Sequence, residues 1–342
     1  MSPWSQNRRG PRHSATDTRP STSRLAAVSG WSRKVGADSW AWGRVCRDVG
    51  ATAAATAAGA SAGWAVWNYL NGQAATARTV IPHRTDNAPD GDGVYHPDGR
   101  VTRYTRDTAV DLFLTVFGDS TAAGLGVDTA DETPGVQVAR RVAAETGKTV
   151  RYANKAIVGA TSKGLAAQID AMFIAHERPD VAIILIGAND VTSRNGIRAS
   201  ARRLGDAVRL LVGGGAKVVV GTCPDFGVIT AIPQPLRTVL RQWGLRLAAA
   251  QRAAVRAAGG RSVPLADLMA KEFRAQLDFM LSPDQYHPSA AGYALAADIL
   301  MPPVLDAIGE WGSAPLPEPP EESPAVEESR VATGLRRLLK QV

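Results

Sequence analysis

Cysteine is nearly missing from this chain of 342 residues, with Cys46 and Cys223 its only two. They make neither a disulfide framework nor a CxxC pair, so a stapled scaffold and a zinc ribbon are both excluded. Histidine is also scarce, five in all and without an HExxH pair, so no catalytic metal is expected. No GxGxxG follows the first apolar strand, and Gly213–Gly215 precede a strand instead of opening a helix. That removes dinucleotide and phosphate-loop readings, and no cofactor is predicted. Aromatic residues are only 6% of the chain, and Trp243 is the one tryptophan between residues 112 and 309. Few platforms are therefore left for stacking a sugar ring.

Charge of one sign is lacking too, outside the N-terminus. The formal net charge is +7, yet residues 1–47 hold nine Lys/Arg against two Asp, and the rest of the chain balances at thirty against thirty. A basic folded domain, the footprint of nucleic-acid binding, is thus not present, and no nucleic-acid partner is expected. What remains is ordinary globular composition, 45% hydrophobic and 21% charged. One domain of roughly 200 residues plus extensions fits the length and buries its core without metal or disulfide staples.

Residues 1–48 read as a basic, disordered arm. Residues 49–77 contain no charged side chain, and the stretch VGATAAATAAGASAGWAVWNYL follows Arg44 and Arg47. A run of about 20 uncharged residues behind basic ones reads as a membrane anchor with the catalytic domain outside the cytoplasm. A signal cut near Ala75–Ala77 and a soluble Ala-rich helix stay open beside it. Residues 78–111 are rich in Pro, Asp and Gly and read as a linker and domain entry; His83 and His96 fall there as solvated residues. Residues 310–342 form an acidic, Pro-rich tail with a basic end.

Between 112 and 309, apolar runs alternate with helical periodicity. Strands are expected at residues 112–117, 150–153, 181–186, 217–220 and 262–265. Leu165, Ile169 and Met172 mark one helix face; Leu204, Val208 and Leu211 mark another; Leu240, Trp243 and Leu247 mark a third. The run VAIILI suits a strand covered on both sides. The expected architecture is a three-layer α/β/α sandwich with a parallel central sheet of about five strands. Its site belongs beyond the C-terminal strand ends. Three polar clusters fall there, Gly118-Asp119-Ser120, Gly187-Ala188-Asn189-Asp190 and Cys223-Pro224-Asp225.

Ser120 follows an apolar strand, but a hydroxyl needs an adjacent base to attack anything. His287, in Asp284-Gln285-Tyr286-His287-Pro288, is suited to be that base, with Asp284 three residues away to hold its tautomer. Gly159, in NKAIVGATS, and Asn189 supply an N–H and an NH₂ of the kind that stabilises an oxyanion. These blocks, in this order, resemble the SGNH (GDSL-type) hydrolases from about Leu112 to Gly309, with GDSTAAG, the glycine segment, GAND and DQYHP in the places of the family's four blocks. The resemblance implies a flavodoxin-like sandwich, a Ser120–His287–Asp284 triad, and an oxyanion hole made by the Ser120 N–H, the Gly159 N–H and the Asn189 side chain. Thr121 stands where many members have leucine.

The implied function is hydrolysis of carboxylic esters, of short-chain acyl groups or lysophospholipids, through an acyl-serine. The partners are then an ester small molecule or lipid, and a membrane met through the N-terminal segment. The layout resembles membrane-anchored actinobacterial members. Carbohydrate O-deacetylation or acyl transfer at the same site, and a non-enzymatic surface binding module, are the alternatives. Asp225–Leu236 is expected to line an acyl pocket, to act as a lid or simply to pack on the domain, and Met280 and Leu281 are expected to line the same pocket.

Overall fold

A computed structural model describes residues 57–80 and 88–316. The basic arm at 1–48, residues 49–56 of the uncharged run, His83 and most of the C-terminal tail lie outside the described residues. Among the described residues there are seven strands: β1 (Gly93–Tyr95), β2 (Val101–Thr102), β3 (Leu112–Gly118), β4 (Val150–Asn154), β5 (Val181–Leu185), β6 (Lys217–Gly221) and β7 (Arg261–Val263). The helices of ten residues or more are α1 (Ala57–Val80), α2 (Pro134–Thr146), α3 (Leu165–Ile174), α4 (Ile197–Gly213), α5 (Leu236–Ala257), α6 (Leu265–Ala275) and α7 (Ala290–Ala307).

The strand order is β2-β1-β4-β3-β5-β6-β7. Strands β4, β3, β5, β6 and β7 pair in parallel, whereas β1 is antiparallel to both β4 and β2. The expected flavodoxin-like sheet of about five parallel strands is therefore corrected to a mixed sheet of seven. The added hairpin lies in the Pro-, Asp- and Gly-rich stretch. Its turn is legible there, closed by His96 N–H to Arg100 O at 2.9 Å. Its strands are not, because three and two residues are too short to display a period of two. Packing decides them instead. Tyr95 is buried, donates to Gly91 O at 2.6 Å, and meets the Tyr152 ring edge-on at 6.1 Å.

The sheet is covered on both faces. Phe117, Ile184, Ile186, Val218 and Val220 pack with Leu165, Ile169, Leu204, Val208 and Val255 into one core on the side of α3, α4 and α5. Alternate side chains of a strand point the other way, where α2 and α7 pack together. Burial on both faces is the reason VAIILI is apolar throughout. Such burial contributes on the order of 25 cal/mol per Å² of apolar surface.

Registry sets the site. Gly118 pairs with Leu185, and Leu185 with Gly221, so β3, β5 and β6 end side by side. Asn154, which pairs with Val116, ends β4 on the other flank of β3. The segments carrying Gly159, Ser120, Asn189 and Asp225 thus leave the sheet in that spatial order.

Among the described residues no helix is long and apolar enough to cross a membrane. The described part of the uncharged run forms α1, whose Leu70, Gln73, Ala74 and Ala77 are buried.

Candidate active site

The chain turns sharply after β3. Gly118 has φ 141°, and a Cβ there would lie 1.9 Å from Leu185 O, so only glycine fits. Its N–H donates to Gln168 Oε1 at 2.9 Å and its carbonyl accepts from Gln168 Nε2 at 2.8 Å. This buried glutamine of α3 pins the strand end. Asp119 then caps a four-residue helical turn, Ser120–Ala123, by accepting from Thr121 N at 3.0 Å. Ser120 is the first helical residue, and an N–H at that position has no acceptor within its own helix.

Ser120, Asp284 and His287 come together. His287 Nε2 lies 2.9 Å from Ser120 Oγ, and His287 Nδ1 lies 2.8 Å from Asp284 Oδ2. Ser120 and His287 are each 7% exposed. Asp284 Oδ1 accepts from Ser282 Oγ at 2.7 Å and from the Tyr286 and His287 N–H groups, both at 2.9 Å. Burial pushes the Asp284 carboxyl up, but the hydrogen bonds from the His287 ring, the His287 N–H and Ser282 outweigh it and hold the group well below the usual range. An ionised Asp284 fixes the Nδ1–H tautomer and leaves Nε2 free to accept the serine proton.

The histidine loop is seated from two directions. Ser282 N donates to His287 O at 2.8 Å, and Tyr293 of α7 donates to Leu125 O at 2.7 Å. A Cβ on Gly126 (φ 114°) would fall 2.8 Å from Pro288 O and 3.0 Å from His287 Cβ, so the loop rests directly on glycine.

Gly159 lies in an exposed turn with φ 80°. Its segment is fastened by Ile157 N to Gly118 O at 3.1 Å and by Asn189 Nδ2 to Ala160 O at 3.0 Å. An amide nitrogen has two hydrogens, so Asn189 keeps a second donor. Asp190, buried, accepts from Ser162 N and Oγ and from Ser200 Oγ, each at 2.7 Å, and so joins the glycine segment to GAND.

Sequence reasoning missed several residues that hold the site. Gln168 and its counterpart Gln251 are buried on helices where a polar residue reads as solvent-facing. Gln251 accepts from Cys223 N at 2.8 Å and donates to Ile186 O at 2.9 Å. Asp119 is 1% exposed, and burial pushes its carboxyl up to about 6. Its Oδ2 makes no hydrogen bond of normal geometry. Cys223 is a free, buried thiol whose pKa burial raises well above the ordinary value, so it is no competing nucleophile at neutral pH. His96 is 3.0 Å from Thr102 Oγ1 in the added hairpin. Among the described residues no cluster of three or more potential ligands is placed to hold a metal ion.

Beside the relay lies an apolar cavity of about 80 Å³. Its wall includes the neighbours of both reactive side chains, Asp119 and Thr121 on one side, Tyr286 and Pro288 on the other. Phe226, Val228, Ile229, Met269, Phe273 and Leu281 are among its apolar lining residues. The segment after β6 therefore does line a pocket, as does Leu281.

A sandwich holding a Ser–His–Asp relay and a neighbouring apolar cavity at its strand ends is the arrangement of a serine-type ester hydrolase. Residues 116–295, more than half of the chain, match the profile of the GDSL-like Lipase/Acylhydrolase family. The chain is 55% identical over 271 residues to a GDSL-like esterase of Mycobacterium tuberculosis (strain ATCC 25618 / H37Rv), an overlap of 79% of this chain and 86% of that protein. The chain belongs to the GDSL-like lipase/acylhydrolase family and is an enzyme of the carboxylic ester hydrolase type. Among solved structures it is similar to TesA, at TM-score 0.45 and 24% identity, covering 57% of this chain and 99% of that one. It is also similar to the lipase/acylhydrolase from Enterococcus faecalis, at TM-score 0.44 and 24% identity, covering 60% and 99%.

Proposed function

We infer that this enzyme hydrolyses esters of short acyl groups, with Ser120 as nucleophile, His287 as general base and then acid, and Asp284 as the group that orients His287. The observation that carries the reading is the unbroken relay from Asp284 Oδ2 through the His287 ring to Ser120 Oγ, at 2.8 and 2.9 Å. Ser120 Oγ attacks the ester carbonyl as His287 Nε2 takes its proton. The carbonyl oxygen becomes an oxyanion, held by the Ser120 N–H, the Gly159 N–H and the Asn189 NH₂. The C–O bond to the alcohol breaks, and His287 returns the proton to that oxygen. Water, deprotonated by His287, attacks the acyl-serine; the acid leaves and Ser120 regains its proton.

The size of the cavity supports a short acyl group. About 80 Å³ is roughly half the 150 Å³ of an apolar cavity that takes benzene, which allows a tail of about two to four carbons. A largely apolar wall favours alkyl over hydroxylated groups.

The test is hydrolysis of p-nitrophenyl esters from acetate to palmitate by the full chain, beside Ser120→Ala. The expected result is a maximum at two to four carbons and a loss of about 10⁶-fold in kcat for the variant. A maximum at eight carbons or more would overturn the short-acyl reading. Undiminished turnover by Ser120→Ala would overturn the assignment of the nucleophile.

A further inference from the structure

Helix α1 precedes the family-matched residues, yet it is bonded to the start of α5, the helix that backs the wall of the cavity. Leu70, Gln73, Ala74 and Ala77 are its buried positions, spaced by three, four and seven as one helix face requires. Gln73 is the polar member of that stripe and is 9% exposed. Its carboxamide meets the start of α5: Leu236 N donates to Gln73 Oε1 at 3.0 Å, and Gln73 Nε2 donates to Gln234 O.

The start of α5 needs such a partner. Its capping position is Pro235, which makes no side-chain capping bond, and the first four N–H groups of a helix have no acceptor within it. Three of the four are satisfied locally. Arg237 N donates to Pro233 O at 3.0 Å, Thr238 N to Gln234 Oε1 at 3.3 Å, and Val239 N to Pro235 O at 3.2 Å. The buried Leu236 N–H is met by Gln73.

Helix α5 in turn grips the cavity wall at three levels. Arg241 Nε donates to Asp225 Oδ1 at 2.9 Å. Gly244 lies under Phe226, close enough that a Cβ would be 3.1 Å from its ring. Gln251 binds Cys223 N and Ile186 O, as described above. Asp225, Phe226 and Ile186 all line the cavity.

We propose that Gln73 is a positioning residue that sets acyl selectivity: by capping α5 from α1 it fixes, through α5, the 222–229 wall against which the acyl tail packs. The inference rests on the cavity being the acyl site. It makes α1 part of the selectivity apparatus of the enzyme, and it makes a positioning error there visible as a change of preferred substrate.

The experiment compares wild type, Gln73→Ala and Gln73→Glu, as full chains, on p-nitrophenyl acetate, butyrate and octanoate, each corrected with Ser120→Ala. In Gln73→Ala, kcat/KM on butyrate should fall about tenfold through KM, the equivalent of one lost helix cap, with acetate held within about twofold. Gln73→Glu keeps the acceptor for Leu236 N–H and should recover most of the wild-type profile. Amide exchange across residues 229–241 should quicken in Gln73→Ala only. Equal losses on all three esters, or none, would overturn the proposal and reduce Gln73 to a stabilising cap. If Gln73→Ala does not fold, Gln73→Met fills the same space without either hydrogen bond and carries the same two outcomes. A wild type lacking Ser120-dependent turnover would strike down the ester reading and this inference together, whereas an unchanged profile in the variants would strike only the inference.

Discussion

The Ser120 turn after β3 and the cavity wall after β6 leave the same edge of the sheet, and each is pinned by a buried glutamine from a covering helix. They differ in everything else. The Ser120 turn is short, and it is shaped by glycine at 118 and by Asp119 as cap. The wall is long and apolar, and it takes its shape from distant partners: Arg241 and Arg274 on Asp225, Gln251 on Cys223, Gln73 at the start of α5. The Ser120 turn is specified largely by its own few residues, and the cavity wall largely by what packs around it. That is why the same chemistry accepts different walls, and why function within a family is argued from the site.

The largest effect that would test this division is on the relay. Asp284→Asn keeps the size of the side chain but favours the wrong His287 tautomer, and kcat should drop about 10⁴-fold on every ester alike. A drop confined to one acyl length, in steady-state assays across the series, would break the separation of chemistry from selectivity.

The two glutamines give the next test. Gln168→Leu leaves the Gly118 N–H without its partner, and Gln251→Leu does the same to the Cys223 N–H. Each should cost about 1–3 kcal/mol in denaturant unfolding. Their activities should part: Gln168→Leu lowers kcat uniformly, while Gln251→Leu changes the ratio of butyrate to acetate turnover. Identical profiles for the pair would mean that the two regions are not independent.

The effect confined to the narrowest range of conditions is electrostatic and lies on the boundary between the two regions, at Asp119. Its folded value of about 6 is above the ordinary 3.8. Between those values the folded chain holds more protons than the unfolded one, so stability falls as pH rises through that window. Asp119→Asn should therefore be more stable than wild type above about pH 6, by up to about 3 kcal/mol, with the gain gone below about pH 4. Thermal melts of both proteins across that range check the slope; a difference independent of pH would remove the buried carboxylate as its cause.

The legible parts of the fold were those with enough residues to display a pattern. VAIILI announces a strand buried on both sides, and Leu204, Val208 and Leu211 announce a helix face. Val94 and Tyr95 announce nothing, because two or three residues show no period, and the sheet proved mixed and wider by that hairpin. In the site, Ser120, Asp284, His287 and Asn189 stood out because each reactive group needs particular neighbours in sequence. Gln168, Gln251 and Gln73 did not, since a glutamine bonded to a strand end or a helix start is indistinguishable in sequence from one facing water.

By itself, then, the sequence determined the candidate site residues, their order and the strands that deliver them, because local turn chemistry and hydrophobic period are short-range properties. The tertiary structure alone decided the hairpin edge, the cavity beside Ser120 and the clamp from Gln73 to Leu236, 163 residues apart in the chain. A volume and a hydrogen bond across that separation exist only once the helices have packed, and no run of neighbouring residues encodes them.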